Sequence, residues 1–107
     1  MKEEKKQERK KIMESKDVKD ILPLGTIVVL KNGKRKIMIT GRYQIKADTD
    51  ELFDYLGCLY PEGIINADMN FLFNNQDINE IVHKGYSDEE DENFKSELEV
   101  LLSKRNK

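Results

Sequence analysis

Tryptophan is absent from this chain, and cysteine and histidine occur once each, as Cys58 and His83. A lone cysteine excludes an internal disulfide framework. With one histidine beside it, a thiolate-rich zinc or iron–sulfur site cannot be assembled within one chain. Long apolar runs are missing too. The most apolar stretch, residues 21–30, is interrupted by Pro23, Gly25 and Thr26, far short of the roughly 18 residues a membrane helix needs. The first eleven residues are almost all charged and no apolar core follows them, so no cleaved secretory signal is expected and the protein is expected in the cytoplasm. An excess of either charge is lacking as well. Nineteen Lys and Arg stand against 21 Asp and Glu, a formal charge of −2, which argues against a histone-like coat for polyanions while leaving local basic patches open.

Catalytic patterns are equally scarce. No glycine-flanked serine marks a nucleophile elbow, and Gly25, Gly33 and Gly41 are each isolated rather than grouped into a phosphate loop. Asp54 with Glu62, or neighbours among Asp88, Glu89, Glu90, Asp91 and Glu92, are the available carboxylate pairs. An acid and a base need environments that separate their pKa values, and neither place is expected to be enclosed. The acidic run reads instead as a helix N-terminus, and it lacks the alternating oxygen ligands and central glycine of a calcium loop. His83 reads as an ordinary strand residue and Cys58 as a small buried hydrophobe. No catalytic residue, metal or cofactor is expected.

What is there falls into two sections within 107 residues and 12.5 kDa, a length that suits one domain. Residues 1–20 carry eight Lys or Arg and six Asp or Glu. They present no face to bury, and read as a disordered arm or a frayed helix. Residues 21–107 read as a single domain. Residues 26–30 are β-branched and apolar, and Asn32-Gly33 separates them from a second such run at 36–40, the pattern of a hairpin closed by a type I′ turn. That register sets Ile27 against Met38, Val28 against Ile37 and Val29 against Lys36. Both faces of the hairpin are then apolar near its base, as in a curled sheet or small barrel. Gly41 suggests a bulge that turns a corner. Further strands are expected over 52–60, 69–73 and 81–86, with a tight reversal at Tyr60-Pro61-Glu62-Gly63 and a single helical turn at 74–77. The sequence predicts a mainly β domain with α. It is a small, five-stranded, partly open barrel of the Src-homology-three type, plus a C-terminal helix over about 88–103. Ser87 and Glu90 would form that helix's capping box, and Phe94, Leu98, Leu101 and Leu102 would pack its apolar stripe onto the barrel.

One dense basic patch lies in this domain. Lys31, Lys34, Arg35 and Lys36 surround the hairpin tip, with Arg42 and Lys46 further on. Such a patch can contact phosphates, so a nucleic-acid-binding barrel is the alternative function. Interleaved aromatics for stacking are lacking, and charged tips also protect sheet edges.

Leu22-Pro23-Leu24-Gly25-Thr26, Gly41-Arg42, Asp54-Tyr55-Leu56-Gly57, Tyr60-Pro61-Glu62-Gly63, Phe71-Leu72-Phe73-Asn74, Asp77-Ile78 and Gly85-Tyr86 together resemble domain-of-unknown-function family 4176. The resemblance covers about residues 21–102. It implies a Gram-positive cytoplasmic protein encoded beside type VII secretion genes. Such a protein would be an accessory, chaperone or adaptor for a secreted toxin, bound through the toxin's helical targeting region or that region's helical partners. The family supplies no catalytic motif. On physical grounds Arg42, Tyr55, Tyr60 and Glu62 are the candidate partner-binding residues, since they sit in family-like motifs and carry side chains suited to interfaces.

Overall fold

The computed structural model describes residues 21–105, so the expected charged arm over 1–20 lies outside the described residues. Five antiparallel strands, β1 (Ile27–Leu30), β2 (Lys36–Ile45), β3 (Leu52–Tyr60), β4 (Phe71–Phe73) and β5 (Ile78–His83), form one sheet in the order β4-β3-β2-β1-β5. The sheet is not closed. A 3-10 turn at Asn75–Asp77 precedes β5, and a C-terminal helix α1 spans Glu89–Arg105. The domain is therefore mainly β with one C-terminal helix, as its alternating β-branched runs and single helical stripe require.

The β1–β2 hairpin has the expected register, with Ile27 opposite Met38, Val28 opposite Ile37 and Val29 opposite Lys36. Its turn differs. Asn32 alone adopts positive φ, at 67°, and the Gly33 N–H closes on the Leu30 carbonyl at 3.0 Å. The bend is thus centred on Lys31 and Asn32 rather than on Asn32 and Gly33. Asparagine accepts the left-handed conformation well enough to allow this. The expected irregularity at Gly41 is present, because the β2–β3 register shifts between Ile39 and Gly41.

Three boundaries move from the sequence reading. Strand β4 begins at Phe71, since Ala67–Met69 form a 3-10 turn capped by the Asn66 side chain, which accepts from Asp68 N–H at 2.9 Å. Strand β5 begins at Ile78 and ends at His83, three residues earlier at each end than expected, because Ile78 already pairs with Leu30. Beyond it the chain is held at Gly85, whose N–H donates to Thr26 Oγ1 at 2.9 Å. A Cβ at Gly85 would lie 2.1 Å from the Leu24 carbonyl oxygen, so only glycine fits this crossing. The cap of α1 also shifts. Asp88, not Ser87, accepts from the Asp91 N–H, at 3.1 Å, while the Ser87 hydroxyl donates to the Asp91 carboxylate at 2.8 Å. Either residue satisfies an orphan N–H at a helix start, and aspartate adds a favourable charge there.

Ile21, Leu22, Val28, Ile37, Ile39, Tyr55 and Phe73 make the core, with Leu30, Tyr43, Leu59 and Ile78 packed around it. The Tyr55 and Phe73 rings lie 5.4 Å apart between centroids. Gly57 gives them room: a Cβ there would meet Ile37 Cγ2 at 2.6 Å and Phe73 Cε1 at 3.1 Å.

Candidate functional site

Lys36 pairs with Tyr60 at the end of the β2–β3 ladder, so the β1–β2 tip and the reversal after β3 lie side by side. Two separate sets of sequence candidates therefore meet on one surface. Tyr60 and Glu62 come from the partner-binding set, and Lys31, Lys34, Arg35 and Lys36 from the basic patch. The Gly63 N–H bonds to the Leu59 carbonyl at 2.8 Å, with Gly63 at φ 82°, and this turn projects Glu62 back toward the tip. Arg35 Nη2 donates to both Glu62 carboxylate oxygens, at 2.6 and 2.8 Å, and to the Tyr60 carbonyl at 3.2 Å. The guanidinium hydrogen bond holds the Glu62 carboxyl below its ordinary pKa. The pair is exposed, so its value is positional rather than energetic.

A shallow depression lies on each side of this tip. One, of about 490 Å³, has Val29, Val82, Tyr60 and Pro61 beside Arg35 and Glu80. The other, of about 270 Å³, is floored by Leu30, Ile37, Leu59 and Phe71 and rimmed by Lys31 and Lys34. Tyr60 is 42% exposed. Lys31, Lys34 and Lys36 are exposed and, among the described residues, carry no ion pair. The surface can thus offer apolar contact, an aromatic hydroxyl and positive charge at once.

The other two partner-binding candidates face inward. Tyr55 is completely enclosed. Its hydroxyl accepts from Leu22 N–H at 3.0 Å and donates to Asn75 Oδ1 in a short hydrogen bond, and burial raises its pKa. It serves the core and offers no surface to a partner. The spacing held the signal: residues five apart on a strand point to opposite faces, so Tyr55 and Tyr60 cannot line one surface. Arg42 is committed to α1. Its Nη2 donates to Asp91 at 2.8 Å, and its guanidinium carbon lies 5.7 Å from the Phe94 ring centroid. This bond lowers the Asp91 carboxyl pKa.

Asp54, expected to be open, is buried. Its carboxylate accepts from Asn75 N–H at 2.9 Å, while its own N–H donates to Asn74 Oδ1 at 2.9 Å. Desolvation pushes its carboxyl up to about 6. Tyr60 at the tip lies six positions further along the strand, about 20 Å at 3.3 Å per residue. Asp54 and Glu62 therefore form no acid–base pair. Sequence reasoning missed this network because a carboxylate between Phe53 and Tyr55 reads as the wet face of a strand. The fold-back that brings Asn74 and Asn75 into hydrogen bonds with Asp54 is not a local feature of the strand. Among the described residues, no three His, Cys, Asp or Glu side chains gather to hold a metal, and none of the helices is long and apolar enough to cross a membrane. Cys58 is buried, and His83 is exposed at the end of β5.

Residues 21–94, more than half of the chain, match the family model described as "Domain of unknown function (DUF4176)". No curated protein and no solved structure matches.

Proposed function

We propose that this chain, which belongs to the DUF4176 family, is a non-enzymatic accessory protein, a chaperone or adaptor that binds a type VII secretion substrate or its helical partners in the cytoplasm. The observation that carries a protein-binding role is the tip surface. There, Tyr60 stands half-exposed on a reversal pinned by Arg35 and Glu62, between two shallow depressions edged with lysines, one with an apolar floor and the other of mixed polarity. An aromatic anchor beside an apolar slot and cations is the composition of a protein-binding hot spot. The choice of a secretion partner rests on the family resemblance, whose members accompany toxins with helical targeting regions. An amphipathic helix suits such a surface, because its apolar side chains can enter the depressions while carboxylates on its flanks meet the lysines. The nucleic-acid alternative is less well supported, since Arg35 is already occupied by Glu62 and only Tyr60 and Phe71 offer aromatic surface near the lysine tip, with no interleaved series for stacking.

Co-expression with the helical targeting regions encoded by neighbouring genes, followed by size-exclusion chromatography, tests the proposal. A stable complex is expected, and Tyr60→Ala should weaken it by about 2 kcal/mol while leaving the fold intact. Failure of every neighbouring region to co-elute, or a steeply salt-sensitive complex with mixed RNA or DNA instead, would overturn it.

A further inference from the structure

Helix α1 divides its apolar stripe between two environments. At 3.6 residues per turn, Asp91, Lys95, Leu98 and Leu102 follow one edge of the stripe, and Phe94 and Leu101 follow the other. The first edge is covered: Lys95 is buried, and Asp91, Leu98 and Leu102 are half-buried. The second is open, with Phe94 45% and Leu101 58% exposed. These two side chains stand two turns apart, about 10 Å along the axis. Glu90 lies one turn before Phe94 and Lys104 three residues after Leu101, both exposed beside the open edge. The flank thus reads acidic, apolar, acidic, apolar, basic from N- to C-terminus, with the exposed Glu97 between the two apolar side chains.

The two ends of such an order, and its apolar pair, are complementary to their own reverse, and only the centre is not. We propose that this flank of α1 is the interface of a homodimer in which the helices of two copies pack antiparallel, Phe94 of each against Leu101 of the other. Reversal brings Lys104 of one copy beside the acidic first turn of the second, around Glu90, and sets the two helix dipoles in opposition. A parallel pairing would set Glu90 on Glu90 and Lys104 on Lys104. The contact is isologous, so it closes as a two-fold dimer and does not propagate. Glu97 falls near the two-fold axis on the same flank and meets its own copy there, an opposing contact that makes the geometry testable.

Sedimentation velocity on the full chain, across a dilution series reaching high micromolar concentration, reads the outcome. The expected result is a concentration-dependent dimer. Leu101→Glu should weaken it by about tenfold or more, with far-UV circular dichroism unchanged because Leu101 is exposed. Glu90→Lys should weaken it, and adding Lys104→Glu to that variant should restore it. Glu97→Gln should tighten it. A monomer at every concentration would overturn the proposal, as would a dimer indifferent to Leu101→Glu and to the charge exchange.

Discussion

Replacing Asp54 with asparagine should change how stability depends on pH. Burial pushes the Asp54 carboxyl up to about 6 from an ordinary 3.8, so between these values the native state holds a proton that the unfolded chain has released. Protein stability then falls as pH rises from about 4 to about 6, the reverse of the usual carboxylate behaviour. At pH 5, about one unit below the native value, the excess binding is worth about 1.4 kcal/mol relative to pH 7.5. Asp91 and Glu62, whose pKa values are lowered, act in the opposite sense and only at lower pH. Their stabilisation is present above the ordinary carboxylate range and lost as pH falls through their lowered values. Urea denaturation at pH 5 and pH 7.5, followed by circular dichroism, isolates the Asp54 contribution. Wild type should be the more stable at pH 5. Asp54→Asn should lose that difference while keeping an acceptor oxygen for the Asn75 N–H, and should equal or exceed wild type at pH 7.5. If wild type and variant respond identically between the two pH values, the carboxylate is not desolvated in the folded state and the reasoning fails.

Gly57→Ala should destabilise by about 1–3 kcal/mol through overpacking, because its Cβ would sit 2.6 Å from Ile37 Cγ2 and 2.9 Å from the Met38 carbonyl oxygen; an unchanged denaturation midpoint would contradict the packing. Tyr55→Phe removes a hydroxyl joined to both Leu22 N–H and Asn75. It should cost about 1–3 kcal/mol for the buried groups left unpaired, with amide exchange at Leu22 accelerating first. Arg42→Met should cost about 2 kcal/mol by stranding Asp91, whose partner's side chain is only 6% exposed. It should also remove the Asp91 share of the stability that wild type loses as pH falls below the ordinary aspartate range, leaving the Glu62 share.

Local chemistry wrote much of this fold into the sequence. Alternating apolar β-formers around Asn32-Gly33 specify the β1–β2 register because a slip of one residue would turn Val28 and Ile37 into water. The β3 boundaries, Leu52 and Tyr60, follow from polar loops on either side. Strand β5 was less legible, since its start depends on Leu30 and its end on the close crossing at Gly85 over Leu24, neither of which is local. The site divided in the same way. Tyr60 and Glu62 lie in a short turn announced by Pro61 and Gly63, although the Arg35 that pins it lies 25 and 27 positions away. The roles of Asp54, Tyr55 and Arg42 are set by partners 20, 33 and 49 positions away in the chain. The helix stripe was visible as a period, but the rotation that leaves Phe94 and Leu101 open depends on where Arg42 anchors Asp91.

The two ends of β3 therefore perform different work. Near Leu52 the strand carries Asp54 and Tyr55 into a buried polar network that ties residues 22 and 75 to the sheet. Near Tyr60 it ends in a surface held by one exposed ion pair and a single turn. Changes at the tip leave the network untouched, because about 20 Å of regular strand lies between them. Side chains around Tyr60 can then be tuned to a partner with little effect on stability. The Arg35 bonds to Glu62 and to the Tyr60 carbonyl fix the reversal before any partner arrives, so less conformational entropy is lost on binding. Removing the two to the carboxylate with Glu62→Ala should weaken partner binding without altering the denaturation midpoint, and a parallel loss of stability would show that the tip belongs to the fold rather than to recognition.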